Sequence, residues 1–150
     1  MKTLAKTRHA GEIRRRMLDL APSDQPLWGV MNANQMMCHL RWPYSDALSS
    51  MSVAVDKLPL PAPLIKLISL YLPRPWPKSL PTLAEYRVGS PSLSSTEFDM
   101  NRAELLNALD AFCAEPNLVR AHPFFGKMSH SDWMRWGYLH ADHHLRQFGH

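Results

Sequence analysis

With 150 residues, 45% of them hydrophobic and 20% charged, the chain has the size and balance of one soluble globular domain. That argues against a disordered chain and leaves too little for two comfortable domains. Two cysteines exclude a disulfide scaffold, and the longest apolar stretch, Pro61 to Pro73, is too short to cross a bilayer and carries Lys66.

The charge is unevenly spread. Residues 1–16 hold six basic side chains against Glu12, a local +5, so the other 134 residues carry only −1 of the net +4. A near-neutral body argues against a nucleic-acid partner, and the basic start reads as a solvated first helix. No apolar run follows it, so neither a signal peptide nor a membrane role is expected. Cys38 and Cys113 read as buried free thiols, which suits a reducing cytoplasm.

The first helix is predicted over about 8–19 from Ile13, Met17, Leu18 and Leu20, and ends at Ala21-Pro22. The second is predicted over about 32–55. Asn32 with Gln35 three residues on, flanked by Met31 and Met36, forms a capping box with a hydrophobic staple. The same grammar at Asn101 and Glu104 predicts a helix over 101–114. Ser129 and Asp132 predict the last, over 130–148.

Between the second and third long helices, seven of the 13 prolines fall at positions 59, 61, 63, 73, 75, 77 and 81. They bracket LIKLISLYL, a candidate short helix beginning just after Pro63. Residues 82–98 read as loop, with a turn at Gly89-Ser90-Pro91. The expected architecture is a single all-α domain over 1–150. It is a four-helix bundle with a proline-rich connection over about 59–98.

Eight histidines raise a metal question. His140 and His144, four apart on the last helix, leave one face and can converge on one ion. Trp133, Gly137 and Phe148 share their stripe, so that face points to the core, where neutral imidazoles need partners. Metal sites in bundles draw ligands from facing helices, and His39 on the second helix is the best third ligand. Pro43 cannot donate to the His39 carbonyl, so a kink is expected beside it.

Asp46, seven beyond His39, is a candidate general base or supporting partner. Gln147, seven beyond His140, is a candidate to hold an imidazole, and Arg146 a candidate for an anionic substrate group. His143 lies off the ligand face and enters only as a neighbour of the site. His122 reads first as a residue ordering a turn with Pro123 and Gly126, and second as a neighbour of the metal. His9, His130 and His150 read as solvated.

The segments PLWGVMNANQMMCHLRWPYSDAL, HPFFGKMSHSDW and HADHHLRQFG resemble the domain of unknown function 1569 family. That family is similar to the DinB-like and YfiT-like metalloenzymes. The resemblance implies a four-helix bundle binding a divalent metal through one histidine of the second helix and an H-x3-H pair of the last. By motif position these are His39, His140 and His144, the three chosen from spacing.

Three imidazoles leave coordination positions open on an ion such as Zn2+, with Ni, Fe or Mn as alternatives. The expected function is a metal-dependent enzyme acting on a small molecule. It would transfer a low-molecular-weight thiol to an electrophile, as DinB-like relatives do, or hydrolyse a substrate. The alternative is a non-catalytic bundle that binds metal structurally or acts through its surfaces. A homodimer is compatible with either.

Overall fold

A computed structural model describes residues 1–49, 60–78 and 95–150. Five helices follow in order: α1 (Thr7–Asp19), α2 (Ala33–Leu48), α3 (Ala62–Tyr71), α4 (Ser95–Ala114) and α5 (His130–Gln147). A short antiparallel hairpin, β1 (Arg120–His122) and β2 (Gly126–Met128), precedes α5. The chain is mostly helical, as expected. None of the helices is long and apolar enough to cross a membrane, among the described residues.

α5 is the axis of the core. Twelve of its eighteen residues are buried, so it has packed neighbours on most sides rather than one apolar stripe. It touches α1, α2 and α3, while α4 lies against α1 and α2. Trp133, Met134, Trp136, Ala141 and Leu145 of α5 join Ile13 and Met17 of α1, Met36, Leu40 and Tyr44 of α2, and Leu105, Leu109 and Phe112 of α4 in one cluster.

Gly137 marks the tightest approach. A Cβ there would meet Leu4 Cδ1 at 2.8 Å, Phe112 Cε1 at 2.9 Å and Tyr44 Cε1 at 3.3 Å, and the Gly137 carbonyl accepts from the Tyr44 hydroxyl at 2.8 Å. Gly137→Ala should therefore destabilise the protein by about 1–2 kcal/mol, overpacking outweighing the better helix propensity of alanine. Urea unfolding of the two proteins measures this, and an unchanged or raised midpoint would contradict it.

Local chemistry accounts for the helix starts. The capping boxes at Asn32/Gln35 and Ser129/Asp132 are both formed in full. At Asn101 the expected box is absent, because α4 begins six residues earlier, at Ser95. Asn101 then lies inside the helix, and its Nδ2 donates to Oδ1 of fully buried Asn34 at 2.8 Å. A capping residue from the sequence pattern is thus an inter-helix bond to α2. Glu97 supplies an acidic side chain to the first turn. The expected loop over 82–98 is helical from Ser95 onward.

α2 stops at Leu48 rather than near 55. Ser49 is extended (ψ 165°) and its N–H closes on the carbonyls of Ser45 and Asp46. Residues 50–55, and the expected turn at Gly89-Ser90-Pro91, lie outside the described residues. Pro43 sits inside α2.

The short helix after the first prolines forms with Pro63 in its opening turn. It is pinned to α5. Lys66 Nζ donates to Asp132 Oδ2 (3.2 Å) and to the Lys127 carbonyl (2.9 Å), the Tyr71 hydroxyl bonds the same carboxylate, and Arg135 Nε donates to the Leu70 carbonyl (3.0 Å).

The basic start runs into α1, a largely solvated first helix as expected, and is tied down by ion pairs. Lys2 pairs with Glu12, Arg14 with Asp110, Arg15 with Asp19, and largely buried Arg16 with Asp142. His9, expected in solvent, is buried in α1 edge-on to Tyr138. His150 bonds Asp24 Oδ2 at 2.9 Å, and His130 buries an Nδ1 that has no partner among the described residues, so neither is simply solvated. Cys38 is buried as expected, whereas Cys113 is only partly so.

Candidate metal centre

His39 stands two turns into α2, while His140 and His144 stand one turn apart on α5. The packing of α2 on α5 brings all three together. Their donor atoms lie within 4.8 Å of one another. The Nε2 atoms of His39 and His140 are 3.3 Å apart, and the three ring centroids are separated by 4.6, 4.9 and 5.3 Å. All three rings are at most 8% exposed.

The His39 and His140 donors have the spacing expected of two ligands on a small divalent ion. Tetrahedral Zn–N bonds of 2.0–2.1 Å place two ligand nitrogens about 3.3–3.4 Å apart, the separation found between His39 and His140. Burial holds His140 well below the ordinary imidazole pKa, helped by the neighbouring histidines, and pushes His144 down to about 3. Both are therefore neutral near pH 7 and retain a lone pair for a ligand bond.

The tautomer of His144 follows from its surroundings. Gln147 Nε2 donates to the Trp28 carbonyl at 2.6 Å, so its Oε1 is the atom that meets His144 Nδ1 at 2.9 Å. An amide oxygen only accepts, so His144 carries its proton on Nδ1 and leaves the Nε2 lone pair free. His140 is held differently. Among the described residues its Nδ1 is buried without a partner, and its ring stacks on Trp136 with centroids 5.0 Å apart and planes 26° off parallel.

Gln147 thus supports an imidazole, but it is His144, three residues before it, rather than His140. His143 is buried beside the cluster with its ring against Trp28, Trp76 and His144, and is not one of the converging donors. His122 orders the hairpin turn. Its Nδ1 accepts from the Phe124 N–H at 3.1 Å, its ring stacks on Phe125, and Gly126 follows at φ +64°. It also touches Trp136, which backs His140.

Asp46 is half-buried and is not among the converging donors, while its backbone carbonyl accepts from Ser49. Arg146 donates to Asp142 Oδ2 at 2.9 Å, a partly exposed ion pair within α5. Neither cysteine is an activated nucleophile. Burial raises the Cys38 thiol pKa against an opposing pull from Arg41, and pushes Cys113 up to about 11.

Two residues beside the cluster escaped sequence reasoning. Trp76 lies over both His140 and His143, held by its Nε1 donating to the Ser69 carbonyl of α3 at 2.8 Å. Trp28 meets His143 edge-on and carries the Lys78 ammonium 4.8 Å above its ring. Both come from proline-flanked stretches with no helical period. The only available signal was a large aromatic inside a rigid turn, at PLWG and RPWPK.

Fold and site together define a mostly helical protein with a buried cluster of three histidines that could hold a metal ion. The chain belongs to the family described as protein of unknown function (DUF1569), whose model matches residues 62–150. That span contains His140 and His144 and leaves His39 outside it. No curated protein and no solved structure matches the chain.

Proposed function

We propose that the protein is a divalent-metal-dependent enzyme of the DinB-like superfamily. In this reading α1, α2, α4 and α5 are the four helices of the bundle, and α3 belongs to the proline-rich crossover. The observation that carries it is the 3.3 Å approach of His39 and His140 Nε2 inside a buried group that also includes His144.

His39, His140 and His144 would hold the ion, with Zn first and Ni, Fe or Mn as alternatives. Once bound, it would supply Lewis acidity, lowering the pKa of a coordinated thiol or water. Around it the chain's own residues have separate tasks. Gln147 keeps the His144 proton on Nδ1, Trp136 braces the His140 ring, and Trp28 and Trp76 line the adjoining apolar wall. With both cysteine thiols held protonated, the nucleophile comes from a small-molecule thiol or from water.

Protein purified without a histidine tag, stripped with chelator and equilibrated with Zn2+, should retain about one ion per chain after desalting. Elemental analysis reads this directly, and a metal content near zero would overturn the proposal. Given a loaded protein, a panel of low-molecular-weight thiols with chlorodinitrobenzene should show turnover that chelator abolishes. Full loading without turnover of any thiol, together with metal-dependent hydrolysis, would move the assignment from transfer to hydrolysis.

A further inference from the structure

We infer that the turn Leu27–Trp28–Gly29, about a hundred residues from the ligand it serves, is the positioning element of the metal centre, and that Gly29 is required for it. The inference rests on the proposed metal role of His144 and adds the part of the chain that orients it.

Gln147 is clamped to this turn from two sides. The Leu27 N–H donates to the Gln147 carbonyl at 2.7 Å, and Gln147 Nε2 donates to the Trp28 carbonyl at 2.6 Å. The second bond fixes which end of the amide faces His144. With Nε2 committed to Trp28, Oε1 must accept from His144 Nδ1–H, and the Nε2 of the imidazole is left for the ion. Without the Trp28 carbonyl the amide is free to rotate and present an N–H donor to the same ring.

Gly29 keeps that bond short. Its φ is +80°, and a Cβ built on it would lie 2.6 Å from Gln147 Nε2. The atom in the way is the end of a flexible side chain, so an alanine would displace the amide rather than break the fold. Gly149 supplies a matched comparison. Its φ is +84°, but a Cβ there meets nothing within 4 Å. Both glycines carry the same backbone demand, and only one touches the path to the metal.

The test uses Co2+ binding to the full-length chain, followed by its visible spectrum, together with NMR of the imidazole nitrogens in metal-free protein. Gly29→Ala should weaken Co2+ binding by about 10- to 100-fold, the usual effect of losing a partner behind a ligating histidine. Gly149→Ala should leave the affinity within about twofold. In metal-free wild type, His144 should be the Nδ1–H tautomer, and in Gly29→Ala a mixture. In a Gln147→Ala background, Gly29→Ala should cost no further affinity, since the coupling runs through the amide.

Unchanged tautomer and affinity in Gly29→Ala would overturn the inference. So would an equal loss in Gly149→Ala, or a full additional loss in the Gln147→Ala background. A wild-type protein that binds no Co2+ would instead remove the metal assignment, and the tautomer comparison would then decide the role of the turn by itself.

Discussion

Replacing His140 with alanine should abolish metal binding while leaving the metal-free protein folded. A ligand that binds only the native state at about 1,000 times its Kd stabilises that state by about 4 kcal/mol. For a domain of this size each kcal/mol moves Tm by about 2–4 °C, so saturating Zn2+ should raise the wild-type midpoint by roughly 10 °C. His140→Ala should show no such rise. Its metal-free stability should move less, because truncation loses the 3.3 Å contact with His39 and packing on Trp136 but also removes an Nδ1 that is buried without a partner among the described residues.

His39→Ala should behave in the same way. That substitution is the sharper one, because His39 lies outside the span matched by the family model. Thermal unfolding with and without Zn2+ measures both variants. If Zn2+ stabilises either as much as it stabilises the wild type, that residue is not a ligand.

The three converging histidines were legible because the signal is periodic. A spacing of four on one helix fixes a shared face whatever the helix packs against, and a capping box of four residues fixes where that helix starts. The Asn101 box failed for a related reason. The pattern N-x-x-E is satisfied equally by a cap and by a helix interior, and only the position of α2, with Asn34 awaiting a donor, separates them. His9 shows the same limit, since burial on α1 depends on how α5 presents Tyr138.

The residues around the ligands were less accessible still. Gln147 could be placed near an imidazole from its register, but the choice between His140 and His144 depends on the Trp28 carbonyl, which approaches from a loop. Trp76 reaches His140 only because α3 is anchored to Asp132 and so sets the chain that follows it. The two-stranded hairpin is three residues a side, too short for alternation to register. The register of a ligand on its own helix was readable, and the partner that a distant loop brings to it was not.

Acid should unfold the metal-free protein well above the pH at which its carboxylates protonate. Burial pushes His122 and His144 down to about 3, and His140 moves in the same direction. In the unfolded chain each titrates near 6.5. Above that pH both states are neutral, and stability is full. Below it the unfolded chain takes up protons that the native protein refuses, so stability falls continuously toward pH 3, where the native groups finally titrate.

Each pKa unit is about 1.4 kcal/mol, so His122 and His144 would each cost about 3 kcal/mol by pH 4. Together they rival the whole stability of an ordinary domain, about 5–15 kcal/mol. Urea midpoints measured at pH 7, 5.5 and 4.5 should fall steeply over this window. Zn2+ should protect, because ions held by His140 and His144 compete with the protons. His122→Asn isolates the part that owes nothing to metal. It removes one titrating group behind the hairpin, so it should lower stability at pH 7 yet flatten the acid limb by about one proton. An acid limb as steep as the wild type's would mean that His122 is not held neutral by the packing of Phe125, Trp133 and Trp136 around it.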